Sequence, residues 1–581
     1  MEQVQRRADQ LVLRFLRHIR EHEPVEATRL GLVGADGMLP DLAPAALDAR
    51  ARDLDRLAGA VAALQRELDG RPGPVVREAQ GDLALLAAEL DHRRFLREVR
   101  PRLALDPLTA LDTVGAGIHE LLAWDDGTPG DRCRRLEAAA QRARRVPVLL
   151  EQASELLTSA PEPHLRVALD RVTGLVALVR EVLPAQAEEL GVDVSPARDA
   201  GEVAAEGLEA FAALLDELTA DPPGAWRLGP EDHAVVLRTG LGTTMWPAQI
   251  EDRARVHLAR TRARLAQLTG SAWTHWYPGE RAPRDEDERL RQALKALART
   301  ALSPEQLLPE ARRAIEEARA FARTIAISDV PPSDRLRVRE VPAHLSGVAV
   351  AYVTPPPPLR PATGCTYHLS PIPAGWDGER SAALLRAYTP AALRSLAIHE
   401  GYPGHVVQLE HAAQHPRLAR RLLARPVFAE GWAVYIEREV VRAGFARGRT
   451  SQVAAEDYLL VQLLHELRIA AGALVDVGLH AASLPDTAAY DLLVRAGFHT
   501  PEEAAATVRR VQVLPGQLSA YLVGGEELTD LRSEVELREA AAFDLRSFHQ
   551  RVLSHGTPTV AIVADALADE APARRPFAVT A

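Results

Sequence analysis

Along most of the chain apolar residues recur at intervals of three and four, as at Leu54, Leu57, Val61, Leu64 and Leu68. That spacing lays one stripe along a helix of 3.6 residues per turn. Alanine, leucine, glutamate and arginine fill the remaining positions, and all four are good helix formers. Clusters of Asp, Gly and Pro at residues 125–130, 221–224 and 277–279 predict connections between helices. From residue 335 to 369 the period changes. Residues 336–339 alternate, and residues 347–353 and 365–369 are β-prone, which predicts a small sheet; the prolines at 355–358 would end a strand in a stiff loop. The expected fold class is mainly α, with that sheet lying beside the helix described next. The expected division is a helical region over residues 1–330 and a catalytic region over residues 331–581.

The candidate chemistry concentrates in residues 399–405, His-Glu-Gly-Tyr-Pro-Gly-His. A catalytic zinc takes three protein ligands, commonly two His and one Glu, and keeps a fourth position open. A carboxylate next to the first histidine, here Glu400, can take a proton from water. The usual spacing is i and i+4 on one helix, whereas His399 and His405 stand six apart, about 120° around a regular helix. The helix must therefore deform. Pro403 has no amide hydrogen to bond back to residue 399, and Gly401 and Gly404 admit unusual dihedrals, so a two-residue bulge is expected to return His405 to the face of His399. Thr389 and Pro390 read as the start of this helix. Pro426 opens another, expected to end near Gly444. On it Glu430 and Glu437 share a face; Glu430 is the expected third ligand, and Glu437 either bonds a ligand histidine from behind or pairs with an arginine. His411 and His415 are four apart, but no acid follows His411 and Pro416 ends the run, so they read as surface residues.

The strings HEGYPGHVVQ and FAEGWAVYIE resemble the bacterial domain-of-unknown-function 885 family, candidate zinc peptidases related to the gluzincins, with the pattern HExxPGHHxQ followed by EGWAxYxE. Leu467-Arg468 with residues 476–480 is similar to the family's LR...VDTGxH, and Arg510 with residues 515–517 and Ala520-Tyr521 to its R...PGQxxAY. Residues 27–31 and 347–367 match more loosely. Val406, Thr507 and Val511 depart from the pattern, standing where the family often has a histidine, an acid and an aromatic residue. The resemblance implies a large two-lobed helical metallopeptidase-like fold around a cleft. It also implies one Zn2+ per chain on His399, His405 and Glu430, with Glu400 as general base. Tyr521 is then expected to hydrogen-bond an oxyanion. Arg510 and Arg468 either bind a substrate carboxylate or close structural ion pairs, and His480 is either a wall of the site or a core histidine.

Composition narrows the setting. A net charge of -11 argues against nucleic acid or an acidic membrane surface as partner. Cys133 and Cys365 are the only cysteines, so there is no disulfide framework. The first 24 residues are charged throughout, and no run approaches the roughly 20 apolar residues of a membrane span. A cytoplasmic location is expected. The expected reaction is hydrolysis of short peptides, of carboxypeptidase or dipeptidase type. The alternatives are a metal-dependent amidohydrolase acting on another amide and a noncatalytic protein in which zinc is a clip, its fourth ligand for example His480.

Overall fold

The computed structural model describes residues 2–123, 128–332, 335–341, 351–372, 378, 381, 385–447 and 453–568. The chain forms two compact units. One comprises Met1–Trp226, Pro357–Thr363 and Arg417–Leu422; the other comprises Arg227–Pro356, Gly364–Pro416 and Leu423–Ala581. The division falls at residue 226, not at the expected residue 330. The reason lies in the helices Pro247–Ser271, Glu286–Ala298 and Pro304–Thr324. Their apolar stripes, including Ile250, Leu265, Leu290 and Ile315, complete cores built with residues beyond 390.

The first unit is helical, and the Pro44–Leu68 helix buries the stripe its spacing predicts. Here the buried guanidinium of Arg142 donates to the carbonyls of Gly117, at 2.6 Å, and Pro24, at 3.0 Å, and to the Thr28 hydroxyl at 2.6 Å. The 27–31 stretch therefore serves the packing of this unit.

The second unit carries the sheet: β1 (Leu336–Glu340), β2 (Ala351–Thr354) and β3 (Cys365–Leu369). The order is β1-β3-β2, with β1 parallel and β2 antiparallel to β3, and Val338 and Val353 both paired with Tyr367. The expected middle strand is seen from Ala351 onward; residues 342–350 lie outside the described residues, as do 124–127 of the first predicted connection. Glu410, 1% exposed, anchors the sheet to the helix His405–Ala413 by accepting two bonds from Arg335, at 3.0 and 2.8 Å, at the entry to β1.

The helix Pro390–Leu396 begins as expected, with the Thr389 hydroxyl accepting from the Ala392 amide. It is fixed in place by Arg394, a fully buried cation that donates to Glu317 at 3.0 Å and to the Phe445 carbonyl at 2.7 Å, and lies 3.9 Å over the Phe445 ring. Burying a charge is tolerable only with partners of this kind.

One expectation needs correction. Among the described residues the helix Ala455–Ala481 is long and apolar enough, by length and composition, to cross a membrane. Its apolar window is 72% buried, packed mainly against Pro247–Ser271 and Gln517–Glu539. Its hydrophobicity is that of a core helix covered on several sides.

The helices Pro426–Arg442 and Gln517–Glu539 cross at their glycines. A Cβ on Gly431 would stand 2.5 Å from the Gly524 Cα, and one on Gly524 would stand 1.9 Å from the Val427 carbonyl oxygen. Neither obstacle is a flexible side-chain end, so the two backbones would have to separate. Gly524→Ala is expected to destabilise the protein by about 1–3 kcal/mol, the range for overpacking a rigid contact. Denaturant unfolding checks this: an unchanged midpoint would mean the helices can part without loss.

Candidate metal centre

The helix that starts at Pro390 widens at residues 397–401 into a π-turn, in which the Tyr402 amide bonds back to the Ala397 carbonyl at 2.9 Å. The Gly404 amide then reaches the Ile398 carbonyl at 3.1 Å, and a new helix begins at His405. This is the expected bulge, built as a wide turn followed by a break at residues 402–404. Gly404 is required because a Cβ there would lie 2.0 Å from the His399 carbonyl oxygen and 2.2 Å from that of Ile398. The Trp432 indole donates to the Pro403 carbonyl at 3.1 Å, tying the turn to the helix that carries Glu430.

The turn brings three donors together. His405 Nε2 lies 3.4 Å, and His399 Nε2 3.8 Å, from Glu430 Oε2. One ligand atom from each residue falls within 4.8 Å of the others. Four-coordinate zinc, with bonds of about 2.0–2.2 Å, holds its ligand atoms about 3.3–3.5 Å apart, close to the two distances from the histidines to Glu430. Both histidines are buried, whereas the Glu430 side chain is 28% exposed and leaves one side of the cluster accessible.

Behind His399 stands Glu437, buried, accepting from His399 Nδ1. That bond orients the ring so that Nε2 faces the cluster. Glu437 is itself held from the other side by His465 Nδ1 at 3.3 Å, and the His465 ring lies 5.5 Å from that of His399. Sequence reading missed His465. The available signal was a lone histidine on the face of the helix that also presents Arg468, three residues on.

The electrostatics match a cation site. Burial lowers the affinity of His399 for a proton, but the bonds to Glu430 and Glu437 and the charge of Glu400 outweigh it and hold the group well above the ordinary imidazole range. Burial raises Glu437 too, yet His465 and His399 together bring it down to about 2. Glu400 is raised, chiefly by burial, against the pull of His405, His399 and a hydrogen bond from the backbone of Val353 in β2. Three carboxyl groups thus surround two ligand imidazoles in a desolvated space.

The other sequence candidates separate. Tyr521 reaches the site, its ring 6.5 Å from that of His399. Its hydroxyl is pushed up mainly by burial and next by Glu430, while a hydrogen bond and the charge of Arg510 oppose the shift. Arg510 also donates to Gln517 at 2.8 Å. Arg468 instead pairs with Glu503 at 2.9 Å and the Phe498 carbonyl at 3.0 Å, which fits the structural half of its expectation. His480 is a buried core histidine that meets the Val511 carbonyl at 2.8 Å. It lies fifteen residues beyond His465 on one helix, about 22 Å along the axis, so it does not join the cluster. His411 and His415 are half-buried and belong to no three-donor cluster among the described residues. Of the departures from the motif, Val406 and Val511 are buried, and the Thr507 hydroxyl caps the Glu503 carbonyl at 2.8 Å.

The fold and site define a mainly helical protein with a buried His-His-Glu cluster. The chain belongs to the bacterial family of unknown function DUF885, whose model matches residues 24–567. A solved structure titled a "putative lipoprotein of unknown function" from Shewanella oneidensis is similar to it, with 21% identity, 97% of this chain and 99% of that one covered, and a TM-score of 0.76. Another so-titled lipoprotein, from Colwellia psychrerythraea, has 17% identity, coverage of 97% and 98%, and a TM-score of 0.76. These likenesses establish the fold. No curated protein matches the chain.

Removing the charge behind His399 gives a direct test of the cluster. Glu437→Gln is expected to weaken zinc binding by about 10–100-fold, the usual effect of losing such a partner, with the helical circular dichroism unchanged. Competition against a chelator of known affinity measures it, and equal affinities would remove Glu437 from the site.

Proposed function

We propose that this protein is a zinc-dependent hydrolase of peptide bonds in short peptides. The observation that carries the reading is the convergence of His399, His405 and Glu430, one ligand atom of each within 4.8 Å of the others, with the Glu400 carboxyl alongside. A zinc ion bound there supplies a Lewis acid for the scissile carbonyl and acidifies water to a pKa of about 7. Glu400 takes the proton of the attacking water and passes it to the leaving nitrogen, a role its raised proton affinity suits. Tyr521 donates its hydroxyl to the developing oxyanion. Its raised pKa keeps it protonated for that purpose. Arg510 grips a substrate carboxylate, and β2, whose Val353 amide faces Glu400, offers an edge for an extended peptide. Carboxypeptidase or dipeptidase action is the preferred form.

The non-peptide amidohydrolase reading keeps all these residues and changes only the pocket walls. The clip reading is disfavoured, since it needs a fourth protein ligand and His480 lies on the far stretch of its helix. A cytoplasmic location is retained within the proposal on the strength of the cysteine content alone. The titles of the two structural neighbours point the other way for those proteins, and fractionation of the native host separates the two.

The deciding experiment is metal analysis of wild type and Glu400→Gln, together with hydrolysis of a dipeptide and tripeptide library. Both proteins are expected to carry one zinc at this centre, with turnover falling about 10²–10⁴-fold in the variant. Zinc without cleavage by wild type would sink the peptidase reading and direct the search to small acyl amides. Tyr521→Phe is expected to lower kcat about 10²-fold with KM little changed. Arg510→Gln should raise KM for peptides with a free C-terminus and not for their amides. An equal rise for both would remove the arginine from carboxylate recognition.

A further inference from the structure

A second donor cluster lies in the first unit, apart from the catalytic reading. His18 and His22 stand four apart on the helix Glu2–His22, hence on one face, and Asp53 comes from the helix Pro44–Leu68. One ligand atom from each falls within 4.8 Å of the others. His18 is 1% exposed; its Nδ1 lies 2.8 Å from Asp53 Oδ2, and its Nε2 lies 3.5 Å from Glu23 Oε1. The rings of His18 and His22 are 4.9 Å apart. The Asp53 side chain is 33% exposed, which gives the cluster an open side, and its other oxygen meets Arg56 at 3.2 Å.

The layout repeats the logic of the catalytic cluster. Glu23, gripped by Arg50 at 2.8 Å and by Arg93, stands behind His18 as Glu437 stands behind His399. Before any ion binds, the short contact of His18 Nδ1 with Asp53 Oδ2 holds one proton between them, while His18 Nε2, 3.5 Å from Glu23, makes no hydrogen bond.

We propose that His18, His22 and Asp53 form a second site for a divalent transition metal, one that ties the first helix of the chain to the helix Pro44–Leu68. The ion takes the place of the proton now shared by His18 and Asp53, and that proton leaves to solvent. The Nδ1 to Oδ2 separation must then open from 2.8 Å to about 3.3–3.5 Å, a movement the partly exposed Asp53 can make. Two imidazoles and one carboxylate suit zinc, cobalt, nickel or copper rather than magnesium or calcium.

The test is calorimetric titration of the chelator-stripped full chain with zinc alone. Wild type is expected to bind two ions, His405→Ala one, His22→Ala one, and the double variant none. Asp53→Asn should lose the same ion as His22→Ala, with circular dichroism confirming that each variant is folded. If the catalytic cluster binds no zinc, wild type takes one ion and His22→Ala none, so the two readings fail separately. Unchanged stoichiometry and affinity in both His22→Ala and Asp53→Asn would overturn the proposal, as would loss of all zinc binding in His405→Ala. Should His22→Ala fail to fold, Asp53→Asn decides, since its side chain is isosteric with the native one.

Discussion

The approach of Gly404 to the carbonyls of Ile398 and His399 is the constraint on which the candidate metal centre depends. Six residues along a regular helix would set the two histidines about 120° apart. They converge because the chain widens into a π-turn, breaks at residues 402–404 and restarts at His405. The restart requires an amide 3.1 Å from the Ile398 carbonyl, at a position where any Cβ would lie 2.0 Å from the His399 oxygen. Only glycine meets that demand. Trp432 then ties the Pro403 carbonyl to the helix of Glu430, so the segments 399–405 and 430–432 form one mechanical unit. Gly431, between Glu430 and Trp432, crosses Gly524 and so brings the helix of Tyr521 against the same unit.

That construction concentrates negative charge. Glu400, Glu430 and Glu437 share a buried space with His399 and His405, and desolvation alone would neutralise all three acids. Glu430 and Glu437 instead sit below their ordinary range because imidazoles lie against them, at 3.4 and 3.8 Å for Glu430 and in a hydrogen bond for Glu437, whereas Glu400 is raised, chiefly by burial. The acids are thereby sorted into two with lowered and one with raised proton affinity. Under the proposed reading, a divalent ion among His399, His405 and Glu430 would balance these charges and leave Glu400 available.

The legible parts of the sequence were those in which local chemistry dictates local shape. The Thr389 cap, the stripe from Leu54 to Leu68, the third strand and the shared face of Glu430 and Glu437 all follow from spacing or from one side chain bonding to a nearby backbone. The deformation between His399 and His405 was legible too, because proline and glycine are its cause. His465 was not, since its role comes from where the helix Ala455–Ala481 crosses Pro426–Arg442, and nothing within its own segment encodes that crossing. The unit boundary was hidden for a similar reason: the apolar faces of residues 247–324 are ordinary until their partners beyond residue 390 are known. The helix Ala455–Ala481 holds no unbroken apolar run of membrane-spanning length, because Glu466, Arg468 and Asp476 interrupt it, although most of its window is buried.

The two arginines of the C-terminal motifs show how far the same limit reaches. Both are long cations near helix ends, and sequence alone offers each the same pair of roles. Arg468 has Glu503 and the Phe498 carbonyl within 3.0 Å, so its fork is already spent on closing a helix connection. Arg510 meets an amide oxygen on Gln517 and the hydroxyl of Tyr521, both neutral groups. Under the proposed peptidase reading, a guanidinium with neutral partners, beside a phenol that borders the candidate metal cluster, would be free to pair with an incoming carboxylate. The same contact would couple carboxylate binding to the position of the Tyr521 hydroxyl, so that substrate lacking a free terminus loses orientation at the reacting carbonyl as well as affinity.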